Sequence, residues 1–411
     1  MKQYLYSADL LLPKPEYRKK WSVIACDQYT SDNEYWQSLE KTVGDFPSTL
    51  NLILPEIYLS DAKARIPKIN STMNEYLDGV LYEKKDAMVY LRRTLPSGKI
   101  RRGIVACIDL CDYDYKKVTA LPIRATEGTV IERIPPRVEI RKDAALEFPH
   151  IMLFVDDEKF DIIDPFDEKA QNGDMEKLYD CELLSGGGSV CGYLIGKDEA
   201  KKLNCKISEY AKNRQMIFAV GDGNHSLATA KTCFDNLCSK IGYDAASRSP
   251  ARYALCEIVN IYDECIEFEP IYRVLFGVRD LNIVIDFAKC LRATLSNAPT
   301  EKNTEFVICS NDKTYYVGCD NLQNKLPVAL LSEFLDGYLK EHGDITVDYI
   351  HGEEEARRLA KRDGAMAFLF GGITKDGFFA SIEKNGPLPR KAFSMGCADE
   401  KRFYFEGRKI K

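Results

Sequence analysis

Asp222, Asn224, His225 and Ser226 stand together in the stretch Gly221-Asp222-Gly223-Asn224-His225-Ser226. A carboxylate, an amide, an imidazole and a hydroxyl in one turn suffice for metal binding, proton transfer and substrate orientation. The chain has four histidines, so one of them beside Asp and Asn between glycines is unusual for pure architecture. Gly221 and Gly223 lack a Cβ, which lets the backbone turn sharply and come close to a ligand. Asn224 is the expected N-cap of a following helix, whose first N–H groups have no intrahelical partner and suit an anion. The helix dipole adds only about 0.3–1 kcal/mol, so the convergent amides would do most of the holding. Asp222 is the candidate metal ligand. Gly221-x-Gly223 followed by Ser226 only approximates the dinucleotide fingerprint.

A second group of reactive side chains lies in the segment from Ile123 to Arg141, which holds four arginines and three glutamates. Interleaved Arg and Glu suit a surface ion-pair ladder. They equally suit a phosphate clamp from Arg124 and Arg137, with Glu127 poised as base or metal ligand. The basic stretch Leu388 to Gly396 offers Lys391 as a further candidate, within a region that also reads as a solvated tail.

These residues need elements to position them. Met216 to Val220 is an unbroken apolar run, a buried strand, and Leu227, Ala230, Phe234, Leu237 and Ile241 recur at helical spacing. A strand thus hands over to a helix through the glycine turn. Trp21 to Thr30 reads as a strand ending near Asp27 and Tyr29, with Ser31 or Asp32 capping the next helix. Leu52 to Leu59 is expected as a strand and Asp61 to Leu77 as a helix. Met88 to Leu95 and Ile100 to Asp109 read as a hairpin, as do the pairs around Asp156 to Lys159 and around Asp376-Gly377. Ser185-Gly186-Gly187-Gly188-Ser189 lacks the Lys-Ser/Thr ending of a phosphate loop and reads as a flexible hairpin tip. The fold class is α/β of the mixed α+β kind, with mixed and antiparallel sheets, divided into units at 1–120, 121–262 and 263–411.

Composition excludes several classes. A net charge of −6 argues against a nucleic-acid binder. Fourteen cysteines contain no C-x-x-C pair and read as reduced thiols in a cytoplasmic protein. No run approaches the roughly 18 apolar residues that a membrane span needs. The expected partner is a small molecule.

Ala25-Cys26-Asp27-Gln28-Tyr29, Arg124-x-x-Glu127-x-Thr129, Gly221-Asp222-Gly223-Asn224-His225 and Leu388-Pro389-Arg390-Lys391 together resemble the domain of unknown function 1015 family, over essentially the full length. Many members carry Ala-Asp-Gly-His-His-Arg at the central turn, which is similar to the turn of ParB/sulfiredoxin-like free serine kinases. The resemblance implies a ParB/sulfiredoxin-like central unit and phosphoryl transfer on L-serine or O-phospho-L-serine, linked to serine biosynthesis. Kinase, reverse kinase and phosphatase directions stay open, as do ATP, ADP and pyrophosphate as the phosphoryl partner. It further implies Mg2+ at Asp222, Glu127 as the base, His225 on phosphate, and Thr129, Gly221, Gly223, Asn224 and Ser226 as binding positions. Asn224 stands where many members have His, and Ser226 where they have Arg. Arg124 and Lys391 are the candidates to replace that arginine. The alternative class is a noncatalytic nucleotide-binding switch module.

Overall fold

Strands covered on both faces read as near-continuous apolar runs, and the central strands here obey that rule. Met88 and Tyr90 join Ile104, Ala106 and Ile108 in one core, whereas Val89 and Leu91 join Val105 and Cys107 in a second. Side chains that alternate across a strand thus feed two separate cores. The structure is a computed structural model that describes residues 2–25, 29, 32–116, 119–129, 131–320, 325–396 and 400–411. It is a mixed α/β protein whose chain forms two compact units, Met1–Ile266 with Gly396–Lys411, and Glu267–Met395.

In chain order the first unit contains β1 (Ala8–Pro13), α1 (Asn33–Val43), α2 (Ala62–Gly79), β2 (Leu81–Thr94), β3 (Ile100–Asp109), β4 (Tyr113–Asp114), β5 (Ile123–Arg124), α3 (Ile134–Arg141), β6 (Leu146–Glu147), β7 (Met152–Val155), α4 (Asp164–Asn172), β8 (Lys177–Glu182), β9 (Ser189–Ile195), α5 (Lys197–Tyr210), β10 (Phe218–Asp222), α6 (Asn224–Ile241), α7 (Tyr243–Ala246) and β11 (Tyr253–Asn260). The second contains β12 (Phe268–Phe276), α8 (Asn282–Leu291), β13 (Thr294–Ser296), β14 (Thr304–Ser310), β15 (Lys313–Cys319), α9 (Pro327–Glu341), β16 (Thr346–His351), α10 (Glu353–Leu359), β17 (Ala365–Phe370), α11 (Lys375–Asn385) and β18 (Phe393–Met395). Strand β19 (Gly407–Lys409) then returns to the first unit.

The first unit's sheet runs β4-β5-β10-β7-β11-β3-β2-β1-β19-β6, with β9 on the second half of β2 and β8 on β9. The pairs β4/β5, β5/β10 and β7/β11 are parallel. Residues 1–120 and 121–262, read from sequence as separate units, therefore supply strands to one sheet. The second unit's sheet runs β13-β15-β14-β17-β12-β16, with β18 on β12. Phe287 of α8 closes edge-on against Phe306 and Phe368.

Several local expectations are corrected. Leu52 to Leu59 is not a strand but parts of two short 3-10 helices, Thr49–Leu52 and Glu56–Asp61, with Pro55 between them lacking the N–H a ladder needs. The pair flanking Asp376-Gly377 is a strand followed by helix α11, which takes both residues into its first turn. The run Phe160 to Ile163 forms no strand and leads into α4. The glycine-rich Ser185 to Ser189 does join antiparallel strands, but it is packed: a Cβ on Gly187 would lie 2.5 Å from the Arg402 guanidinium. Cys26, Asp27, Gln28, Thr30 and Ser31 lie outside the described residues; Asp32 caps α1 by accepting from the Tyr35 N–H at 2.9 Å.

Candidate functional site

Strand β10 carries the site and is held from both sides. On one side it runs parallel to β5, with Phe218 opposite Ile123 and Ala219 opposite Arg124. The Thr126 hydroxyl donates to the Val220 carbonyl at 2.5 Å, so the segment stays beside β10 beyond the ladder. On the other side β10 is antiparallel to β7, and the register shifts between Val220 and Asp222. A bulge of this kind re-aims the residue that follows. Gly221 sits in it beneath the Phe154 ring, where a Cβ would be 2.7 Å from two ring carbons.

The next residue, Gly223, adopts φ 80° and ψ 26°, the left-handed conformation. It also faces the Cα of Ile151 at 3.0 Å from where a Cβ would stand. Gly223, not Asn224, is the N-cap of α6: its carbonyl accepts from the Leu227 N–H at 2.9 Å. Because Gly223 can take the left-handed conformation at the cap, the helix begins at Asn224, one place earlier than expected. No side chain caps its first turn.

Asp222 turns one oxygen, Oδ1, onto the Gly223 N–H at 2.8 Å, which fixes the carboxylate in the turn. Its Oδ2 lies 3.7 Å from Nζ of Lys401. The Asn224 Oδ1 and the Thr129 Oγ1 are buried polar atoms with no hydrogen-bond partner among the described residues. Such atoms are costly unless something arrives to satisfy them. His225 and Ser226 are half-buried on the first turn of α6, and the His225 carbonyl accepts from Thr229 Oγ1 at 2.7 Å. Glu127 is half-buried. Arg124 is buried and gives its Nε to the Leu121 carbonyl at 3.0 Å.

Ser226 and Thr229 also line a cavity of about 180 Å³ whose other walls include Phe148, His150 and Ile151, Phe403, and Arg137 and Arg141 of α3. Arg137 enters this wall with its charge already answered by the carboxylate of Glu56, and its Nη1 donates to the Arg133 carbonyl at 3.1 Å. Lys391 belongs to the second unit, where its ammonium lies 4.9 Å from the centre of the Tyr349 ring.

Lys401, which stands beside Asp222, is not among the residues singled out from sequence. The chain from Lys401 to Tyr404 is laid between two segments near the turn. The Ala25 N–H donates to the Lys401 carbonyl at 2.7 Å and the Phe403 N–H to the Val23 carbonyl at 3.0 Å. The Tyr404 N–H donates to the Pro149 carbonyl at 2.9 Å, and its hydroxyl to the Ile151 carbonyl at 2.8 Å. The available signal was the run Phe403-Tyr404-Phe405, all buried, which marks a packed segment and not a solvated tail.

For a divalent cation, Asp222 and the Asn224 amide oxygen offer one charged and one neutral oxygen in a single turn. Magnesium is commonly bound by one or two carboxylates together with substrate phosphates, and this donor set fits that mode. Among the described residues no group of three or more His, Cys, Asp or Glu is gathered into a metal site. The described cysteines are free, and burial pushes the Cys107 thiol up to about 11, away from nucleophilic use. No helix among the described residues is long and apolar enough to cross a membrane.

Residues 10–338 match the family described as a protein of unknown function, DUF1015. No curated protein matches the chain. Among solved structures, free serine kinase in complex with AMP aligns at 14% identity over 73% of this chain and 89% of its own, with a TM-score of 0.38. A conserved hypothetical protein from Pyrococcus furiosus aligns at 13% identity over 75% and 95%, with a TM-score of 0.37. SbnI with a C-terminal truncation, from Staphylococcus aureus, aligns at 9% identity over 74% and 82%, with a TM-score of 0.36. At these values the likenesses carry no argument about activity.

Proposed function

The chain belongs to the DUF1015 family, and we propose that its glycine turn is a phosphoryl-transfer site acting on L-serine or O-phospho-L-serine. The observation that supports this most is the parallel pairing of β5 on β10. With the Thr126 hydroxyl on the Val220 carbonyl, it supports a site in which Glu127 and Thr129 work beside Asp222 and the first turn of α6. A base and an anion-binding turn on neighbouring strand ends are what transfer to a hydroxyl requires.

In the forward direction the serine oxygen forms a bond to phosphorus while the bond from phosphorus to the donor's bridging oxygen breaks. The hydroxyl proton passes to Glu127, and the donor leaves with the bond's electron pair. The reverse reaction runs the same steps backwards from phosphoserine. Catalysis of this kind is positioning and charge neutralisation more than covalent chemistry. The uncapped amides of Asn224, His225 and Ser226 hold the phosphoryl oxygens. His225 orients the phosphate or supplies a proton to it. Thr129 and Asn224 satisfy their buried polar atoms on the ligand, and Gly221 and Gly223 keep the approach clear. Arg124, on β5, contributes positive charge behind the site. Asp222 and Asn224 would hold a magnesium ion brought in with ATP, ADP or pyrophosphate; when bound, it neutralises phosphate charge.

Replacing Glu127 with Gln tests the assignment. Losing a general base removes about 10²–10⁴ in rate, so Glu127→Gln is expected to turn over phosphoserine that much more slowly while binding it as the wild type does. Turnover at the wild-type rate would remove Glu127 from the role.

A further inference from the structure

The turn has an electrostatic difficulty that its own residues do not resolve. A phosphoryl group carries negative charge, and Asp222 adds another beside it, while the helix end contributes only about half a positive charge. The ion pair with Lys401 brings a full cation to this place from the far end of the chain. We propose that Lys401 is the phosphate-contacting cation of the site, delivered by the C-terminal segment; this rests on the phosphoryl-transfer reading above.

Three features fit that task. The ammonium stands 3.7 Å from Asp222 Oδ2, beyond the 2.7–2.9 Å typical of a charge-assisted hydrogen bond. Asp222 is its only partner among the described residues. An ammonium has three donors, so donors remain for an incoming oxygen. The backbone of Lys401 is fixed, through the Ala25 N–H on its carbonyl and the Phe403 N–H on that of Val23. The side chain therefore swings from an anchored base, and its side-chain exposure of 22% leaves it accessible to a ligand. A loose, partly exposed ion pair adds little to stability, so folding alone does not account for a lysine held over this carboxylate. A shift of the ammonium from Asp222 to a phosphate oxygen would also release Oδ2 for a cation that arrives with the phosphate.

The test is binding of O-phosphoserine and of inorganic phosphate to the full chain by calorimetry, alongside phosphoserine turnover. Losing one charge-assisted hydrogen bond corresponds to roughly 10- to 100-fold in affinity. Lys401→Met is expected to weaken both phosphate-bearing probes by about that factor and to leave L-serine binding unchanged. Lys401→Arg should restore most of the loss, and the salt dependence of phosphoserine binding should flatten in Lys401→Met. Lys401→Gln serves as the second variant, and Lys409→Met, on β19, controls for net charge. Wild-type affinity for phosphoserine in Lys401→Met and Lys401→Gln, with wild-type turnover intact, would overturn the assignment of Lys401 and leave the site reading standing. Failure of the wild-type protein to bind or process any phosphate-bearing ligand would overturn both.

Discussion

Gly223→Ala is the substitution that most directly probes how the turn is built, and two separate costs fall on it. Gly223 has φ 80°, and a residue with a Cβ in the left-handed region loses about 1–2 kcal/mol. The added Cβ would also meet Ile151 Cα at 3.0 Å and Cγ1 at 3.1 Å, where carbon atoms pack at about 3.5–4.0 Å. The side-chain atom can move, but the Cα cannot easily follow. Ile151 is pinned through its carbonyl, which accepts from the Glu257 N–H at 2.9 Å and the Tyr404 hydroxyl at 2.8 Å. Overpacking against such a wall costs about 1–3 kcal/mol. The lower entropy of an unfolded alanine returns only about 0.4–1 kcal/mol, which leaves a net loss of roughly 1–4.6 kcal/mol, centred near 3. Both tryptophans, Trp21 and Trp36, lie in the first unit, so their fluorescence reports the unfolding of the unit that contains the turn. With a urea slope of about 1–3 kcal/mol per molar, a loss of about 3 kcal/mol lowers the midpoint by roughly 1 M or more. An unchanged midpoint would refute the left-handed, wall-facing placement of Gly223.

The remaining expectations are of the same kind. Gly221→Ala should cost about 1–3 kcal/mol by pushing on the Phe154 ring, and Phe154→Leu in the same chain should recover part of it because a side chain, not backbone, is in the way. Strictly additive losses in the double variant would count against that contact. Glu406 accepts from the Tyr179 hydroxyl, and burial pushes its carboxyl up from 4.5 to about 7. The folded state therefore holds a proton that the unfolded state has released. Stability from this group is present below about pH 4.5 and is lost as pH rises towards 7, on the order of 3 kcal/mol at 1.36 kcal/mol per pKa unit. Glu406→Gln should abolish that fall, measured as the difference from wild type in tryptophan-monitored urea midpoints at pH 5 and pH 7.5; equal pH dependence in the two proteins would contradict the raised carboxyl.

The strand, the turn and the helix were legible because each carries a strong local signal. Met216 to Val220 has no polar break, two glycines bracket Asp222, and Leu227, Ala230 and Phe234 recur on one helix face and are buried. The helix starts one residue early because Gly223 takes the cap position in a left-handed conformation, whereas residue preference favours Asn224 there. Short apolar runs misled more seriously. Phe378 to Ile382 fits a strand or a buried helix equally well by periodicity, and the preceding Asp376-Gly377 tipped the reading toward a turn. The pairing of β5 with β10 could not be read at all, because β5 is a strand of two residues with no alternation to detect and its parallel partner lies far along the chain. Lys401 escaped for a similar reason, since its place is set by main-chain hydrogen bonds to residues 23 and 25, which no side-chain pattern encodes.

Phosphorus NMR of the wild-type protein with O-phosphoserine and magnesium, with and without ADP, tests the central claim most directly. Transfer at the turn predicts loss of the phosphoserine resonance and the appearance of either the resonances of ATP, where ADP is present, or that of inorganic phosphate, where water accepts. A phosphoserine resonance that persists under both conditions, together with no resonance of phosphoserine formed from L-serine and ATP or pyrophosphate, would contradict phosphoryl transfer and leave a noncatalytic binding role for the turn.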